Sequence, residues 1–278
     1  ERIPMKLYKH QTFTGERALF QAQTCEISYS TFFNGESPLK ESKDIKIDHS
    51  IFEWKYPFWY AQNIHITNSI LNSDARAAIW YTDHITVENT TIEAPKSFRR
   101  TKHIHLNHVH FSNAEETLWN CSDITMNQVS AKGEYFAMGS SNMSIEDFSV
   151  TGSYSFDGVM NVLVKRAKIV SKDAFWNSED VLVEDSFISG EYIGWNSKNI
   201  TFRNCTIESN QAFCYMENVV LENCHLIHTD LAFEYSTVTA SIHGIVESIK
   251  NPISGIIVVD DVKEIIFDNK VEGLIVLN

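Results

Sequence analysis

No window of the chain approaches the roughly 18 consecutive apolar residues of a membrane-spanning helix, so no membrane partner is expected. Basic residues are outnumbered, 23 Lys and Arg against 36 Asp and Glu, for a formal net charge of −13. The one basic cluster is short, RRTKHIH at 99–105. A nucleic-acid binder needs a basic face, so no nucleic-acid partner is expected either. The five cysteines (Cys25, Cys121, Cys205, Cys214, Cys224) contain no CxxC pair. An odd count without close spacing excludes a disulfide framework and a zinc knuckle, and leaves buried thiols in a reducing compartment. The opening ERIPMKLYKHQTF has no apolar signal-peptide core. Met5 reads as a natural start, with residues 1–4 as an added leader, and the expected location is cytoplasmic. A mature secreted chain would also lack its signal. Long runs at the 3.6-residue helical period are missing, as are the fixed leucines of leucine-rich repeats. No linker or low-complexity tract divides the 278 residues, so a single domain is expected.

What the chain has is a repeat. Residues 162–180 read VLVKRAKIVSKDAFWNSED, and 181–199 read VLVEDSFISGEYIGWNSKN. Lines of this plan start at Ile27, Ile45, Ile64, Ile85, Ile104, Ile124, Met143, Val162, Val181, Ile200, Val219 and Val238, spaced 18 to 21 residues apart and most often 19. Counting each start as offset 0, offsets 0 and 2 are apolar almost throughout, and offset 7 is apolar from Phe52 to Leu226. Offset 4 is polar: His49, Asn68, Asn89, His108, Gln128, Asp147, Arg166, Asp185, Asn204 and Asn223. This is strand alternation broken at one residue and then resumed. Asn and Asp tolerate left-handed backbone, so one residue can turn a corner there. A third strand is expected at offsets 11–15. The prediction is an all-β parallel β-helix of about twelve coils with a 19-residue period. Residues 5–26 would form an N-terminal cap, 27–255 the coils, and 256–278 the closing strands.

The motifs GERALF (15–20), GESPLKES (35–42), FEWKYPFWY (52–60), APKSFRR (94–100), AEETLWNC (114–121), SKDAFWN (171–177), GEYIGWN (190–196) and TDLAFEYS (229–236) resemble the domain-of-unknown-function family 3737 over nearly the whole chain. The similarity of that family to pectin-lyase-like β-helices implies a right-handed coil. It also implies a ligand groove on the third side. It brings no known activity and no catalytic residues.

If the third side is a strand, offsets 12 and 14 point inward (Ala174 and Trp176, Ile193 and Trp195) and offsets 11, 13 and 15 point out. The outward set is then rich in aromatics, carboxylates and amides: Tyr135, Tyr154, Phe175, Tyr192, Asn196, Tyr215, Asp230 and Glu234, with Lys96 and Glu116 at one end. Rings of this kind stack on sugar faces, and polar groups take hydroxyls. The sequence reading is therefore a carbohydrate-binding or carbohydrate-active protein. If it is an enzyme, a hydrolase or a lyase, Asp173 and Glu191 are the acid/base pair, about 6 Å apart on stacked lines. In a lyase the base would be Lys172, Arg99 or Arg100; the acidity of the face argues against uronate substrates. The alternative is a non-catalytic scaffold with the same face as a protein–protein interface, including a homodimer. His84, His103, His105 and Asp123 could hold a transition metal. Their column is Asn or Asp elsewhere (Asn63, Asn142, Asp180, Asn199), so they are read as turn residues, and no cofactor is expected.

Overall fold

The structure is a computed structural model that describes residues 2–268 and 272–277. The predicted closing strands fall partly outside that range, at 269–271 and 278. Among the described residues every regular element is a β-strand, and the pairings are parallel. The chain is an all-β parallel β-solenoid with a period of about 19 residues and about 14 turns. Two turns more than expected arise because both ends follow the coil path. The strand Lys6–Lys9 already pairs with Gln23–Ser28, and Ser254–Ile266 and Glu272–Leu277 continue the stack. The first register also differs from the sequence reading: Cys25, not Ile27, lies opposite Ile45. Among the described residues no helix is long and apolar enough to cross a membrane.

The chain divides into two compact units, residues 1–143 and 144–278. In the first, Gln23–Ser28, Lys43–Asp48, Gln62–Thr67, Asp83–Ile92, Lys102–Phe111 and Ser122–Lys132 stack in succession on one side. A second side begins as the two-residue strands Thr31–Phe32, Ile51–Phe52 and Ile70–Leu71. In the second unit, Met160–Val170, Glu179–Glu184, Lys198–Arg203 and Glu217–Ile227 stack in the same way. Val162, Val181, Ile200 and Val219 stand in one column, as the repeat requires.

Each strand turns alternate side chains into the core. Ile45 and Ile47, Ile64 and Ile66, Val181 and Val183, and Ile200 and Phe202 are all buried, each such side chain contributing roughly 1.5–3 kcal/mol. Corners break the alternation with left-handed residues. All ten offset-4 positions have positive φ, from 44° at His49 to 55° at Gln128. Among the described non-glycine residues with positive φ, only Thr24 and Ile79 are β-branched, which reflects the steric cost of that region. The corner side chains then bond along the stack. Asn223 Nδ2 donates to Asn204 Oδ1 (2.8 Å), and Asn204 Nδ2 to Asp185 Oδ1 (3.3 Å). Inside, small hydroxyls bridge successive coils: Ser197 Oγ accepts from Ser178 N–H (2.9 Å) and donates to Phe175 C=O (2.6 Å).

Cysteines take equivalent places in these inner columns, with Cys224 Sγ 3.2 Å from Phe202 O and Cys121 Sγ 3.4 Å from Phe98 O. All five cysteines are buried and free. Burial pushes Cys121 and Cys214 up to about 12, which makes both poor nucleophiles at neutral pH.

Asn204→Val should destabilise the protein by about 1–3 kcal/mol, because it places a β-branched residue in left-handed backbone and breaks the ladder. Asn204→Gly, which loses the ladder but not the backbone freedom, should cost less. Urea unfolding of the two variants checks the order.

Candidate functional site

In the coils that carry Asp173 and Glu191 the third side is not a strand. No strand lies between Phe187–Ser189 and Lys198–Arg203, and positive φ recurs at every second residue: Asp173 (58°), Phe175 (58°), Asn177 (53°). Coil-to-coil bonding persists, with Asp173 N–H donating to Glu191 C=O (2.9 Å) and Phe175 N–H to Ser155 C=O (2.9 Å). The alternating backbone conformation removes the inside–outside rule of a pleated strand. Ala174 and Phe175 are both buried, and Trp176 and Trp195 are only half-buried. Phe175 is therefore corrected from an outward ligand contact to a core residue, stacked on Phe156 at 4.9 Å. Trp176 and Trp195, expected inside, lie against the surface with parallel rings 5.6 Å apart. Gly194 interrupts the phenylalanine column, and Phe202 reaches into the gap, 6.4 Å from Phe175 and 5.5 Å from Phe213.

Asp173 is also buried, 2% exposed. Burial pushes its carboxyl above the usual carboxylate range, against the pull of Lys172 and a hydrogen bond from Tyr154, with Glu191 pushing in the same direction as burial. Its Oδ1 has no hydrogen-bond partner. Glu191 is exposed on the next coil, and Lys172 Nζ lies 5.6 Å from the Tyr192 ring centre. Tyr192 and Tyr215 meet Trp195 edge-on at 5.2 and 5.4 Å, and Tyr154 meets Trp176 at 5.9 Å. Asn196 Nδ2 donates to Asn177 Oδ1 (2.7 Å). Two other expected contacts have structural work: Glu234 pairs with Lys250 at 3.7 Å, and the Asp230 carboxylate caps Leu231 N–H at 3.0 Å and accepts from Ser248. In the first unit Lys96 and Glu116 pair at 3.3 Å, and Tyr135 is at the surface beside Trp119. His84, His103 and Asp123 come together at one corner; His105 points elsewhere, toward Thr125.

Two clefts form at offsets 8–10, the turn after the second strand. In the first unit a cleft of about 360 Å³ is lined by Phe33, Asn34, Glu53, Trp54, Asn72 and Asp74. In the second, the equivalent turn gives a smaller cleft of about 180 Å³, among them Glu191, Glu208, Asn210 and His228. Ligand sites typically run from about 300 to 1,000 Å³, which favours the first.

Three consecutive coils build that first cleft. Phe33 N–H bonds Phe13 C=O (3.0 Å), Glu53 N–H bonds Phe32 C=O (2.8 Å), and Asn72 N–H bonds Phe52 C=O (2.9 Å). Asn34 turns the chain with φ of 54°, and the Asn72 side chain caps Asp74 N–H at 3.1 Å. Phe33 is 38% exposed. Sequence reasoning centred on the third side and did not single out this cleft. The available signal was the 21-residue interval from Ile64 to Ile85, which lengthens this turn.

Trp54 stands apart from the other tryptophans. Trp59, Trp80, Trp119, Trp176 and Trp195 each donate the indole N–H to a backbone carbonyl 16 or 18 residues on, at 2.6–2.7 Å. Among the described contacts Trp54 makes no such bond. Lys55 Nζ lies 5.2 Å from its ring centre and 4.0 Å from Glu36.

Fold and site together define a β-solenoid with a turn-lined surface cleft. The family described as Protein of unknown function (DUF3737) matches residues 6–274, and the chain belongs to it. No curated protein matches the chain. Among solved structures it is similar to PfbA, a surface adhesin of Streptococcus pneumoniae, with TM-score 0.48 and 9% identity over 91% of this chain and 82% of that one. It is also similar to a tailspike protein double mutant of E. coli bacteriophage HK620 in complex with pentasaccharide, with TM-score 0.48 and 9% identity over 92% of this chain and 70% of the tailspike chain. Neither likeness carries an argument about ligand or activity.

The raised Asp173 pKa has a signed consequence. Between the ordinary carboxylate pKa and the raised folded value, the folded state binds more protons than the unfolded state, so stability falls as pH rises. Below the ordinary value the penalty is absent. Asp173→Asn should therefore gain stability relative to wild type as pH climbs from 3.5 to 7, measured by urea unfolding at each pH. A difference that does not change with pH would contradict the assignment.

Proposed function

We propose that this protein binds carbohydrate, and that the cleft of Phe33, Asn34, Glu53, Trp54, Asn72 and Asp74 holds one sugar unit of the ligand. The observation that carries this reading is Trp54. Its ring lines the cleft, and its N–H is unspent where five other tryptophans commit theirs to the next coil. A half-exposed aromatic ring offers a flat apolar face to sugar C–H groups and a donor at its edge. Carboxylates and amides supply the paired acceptors and donors that neighbouring hydroxyls require. The two carboxylates in the cleft and the net charge of −13 disfavour uronates and other anionic sugars, so the ligand class is a neutral or amino sugar.

The reading is one of binding. A general acid must reach the glycosidic oxygen, and Asp173 is buried. A protein-interface role, including a homodimer, draws support from a different feature, the stacked pair Tyr60 and Tyr81 (4.8 Å), 52% and 37% exposed. Sedimentation velocity separates it: a concentration-dependent dimer abolished by Tyr60→Ser would support an interface there.

A calorimetric panel of neutral, amino and acidic oligosaccharides tests the sugar reading. Saturable binding of a neutral or amino sugar is expected, weakened at least tenfold by Trp54→Ala (about 1.4 kcal/mol or more), with thermal stability retained. A panel without binding, or binding indifferent to Trp54→Ala, would overturn it.

A further inference from the structure

Away from the cleft, one corner of the first unit breaks the rule of its own column. The position just before each first-side strand core carries Asp44, Asn63, Asp123 and Asn142, all with positive φ. Their side chains bond between coils, with Asn63 Nδ2 donating to Asp44 Oδ1 (2.8 Å) and Asn142 Nδ2 to Asp123 Oδ1 (3.3 Å). In the two coils between, the column holds His84 and His103, with the same left-handed backbone (61° and 57°). Their rings stack at 4.2 Å and 22°. Both Nδ1 atoms aim at one oxygen, Asp83 Oδ1, at 2.8 Å from His84 and 2.7 Å from His103. The three donor atoms lie within 4.8 Å of one another.

We propose that Asp83, His84 and His103 form a binding site for one divalent transition-metal ion of the zinc or nickel type. Imidazole nitrogen and carboxylate oxygen are the donors such ions take at about 2.0–2.2 Å. Donor atoms 2.7 and 2.8 Å apart around an ion at that distance subtend roughly 75–90°, the angle between neighbouring positions of an octahedron. The three residues are 42–64% exposed, so water can fill the remaining positions. The site has an outer support. His103 Nε2 faces Asp123 Oδ2 at 3.5 Å, and a small movement would bring them to the arrangement in which a ligating histidine donates its second N–H to a carboxylate. Asp123 is thus a positioning residue. Two aspartates and two neutral imidazoles match a dication in charge. An amide column would have satisfied the corner equally well, so the histidines are not needed for the turn.

The test uses the untagged full chain, stripped with a chelator and titrated calorimetrically with NiCl₂, ZnCl₂ and MgCl₂. One saturable site for nickel or zinc, with none for magnesium, is expected. His84→Asn and His103→Asn, which restore the residue type found elsewhere in the column and so protect the fold, should each weaken binding at least tenfold while leaving metal-free unfolding close to wild type. Asp123→Asn should weaken it about tenfold, and His105→Ala should not change it. Absence of a saturable site in the wild type, or binding that survives the double His84→Asn/His103→Asn change, would overturn the proposal.

Discussion

The backbone ladder between successive coils governs this structure. Every coil must hand its N–H and C=O groups to its neighbours in register, at corners as well as along strands, because the groups are too near the core for water to satisfy. Corners can meet that demand only with residues that accept positive φ, and their side chains then stand at the same height on every coil. Like therefore stacks on like. Asn and Asp bond along the corners, Ser, Thr and Cys bridge the inner turns, and phenylalanines pile in the core at 4.5–5.3 Å where neighbouring coils both supply one. Where one coil defaults, a neighbour compensates, as Phe202 does beside Gly194.

A surface built of columns is regular, and regularity offers little to a ligand. The cleft and the histidine corner both lie where a surface column is interrupted. At the turn after the second strand, a lengthened coil and an uncommitted Trp54 indole leave a cleft. At the corner of His84 and His103, two imidazoles replace an amide ladder and converge on a carboxylate. The half-buried Trp176 and Trp195 serve the ladder instead, through N–H bonds of 2.6 Å to the next coil.

Much of the fold was legible because its determinants are local and repeated. The alternation of Val181 and Val183 or Ile200 and Phe202, and the corner role of Asn204 and Asn223, need only a period and a steric rule. The burial of Cys205 and Cys224 was expected from the odd count and wide spacing of the cysteines. The third side was misread because alternation was assumed to mean a strand. With left-handed residues at Asp173, Phe175 and Asn177, side-chain direction no longer has period two, so Phe175 went inside and Trp176 did not. The clue lay in Trp176 itself, an indole whose N–H must find an acceptor and finds it at the backbone edge. The cleft escaped notice because its residues, Phe33, Trp54 and Asp74, share no conspicuous motif. They meet only through coil stacking. Asp83 was not weighed beside His84 because it falls two residues before Ile85, the apolar start of its line.

The central claim is that the Trp54 cleft is the ligand face. It is tested most directly by following the six indole N–H resonances in a ¹⁵N-labelled sample as a binding oligosaccharide is added. A saturable shift of the Trp54 signal is expected, with the five tryptophans bonded to backbone carbonyls unmoved. A shift at Trp176 or Trp195 with Trp54 unchanged would contradict it.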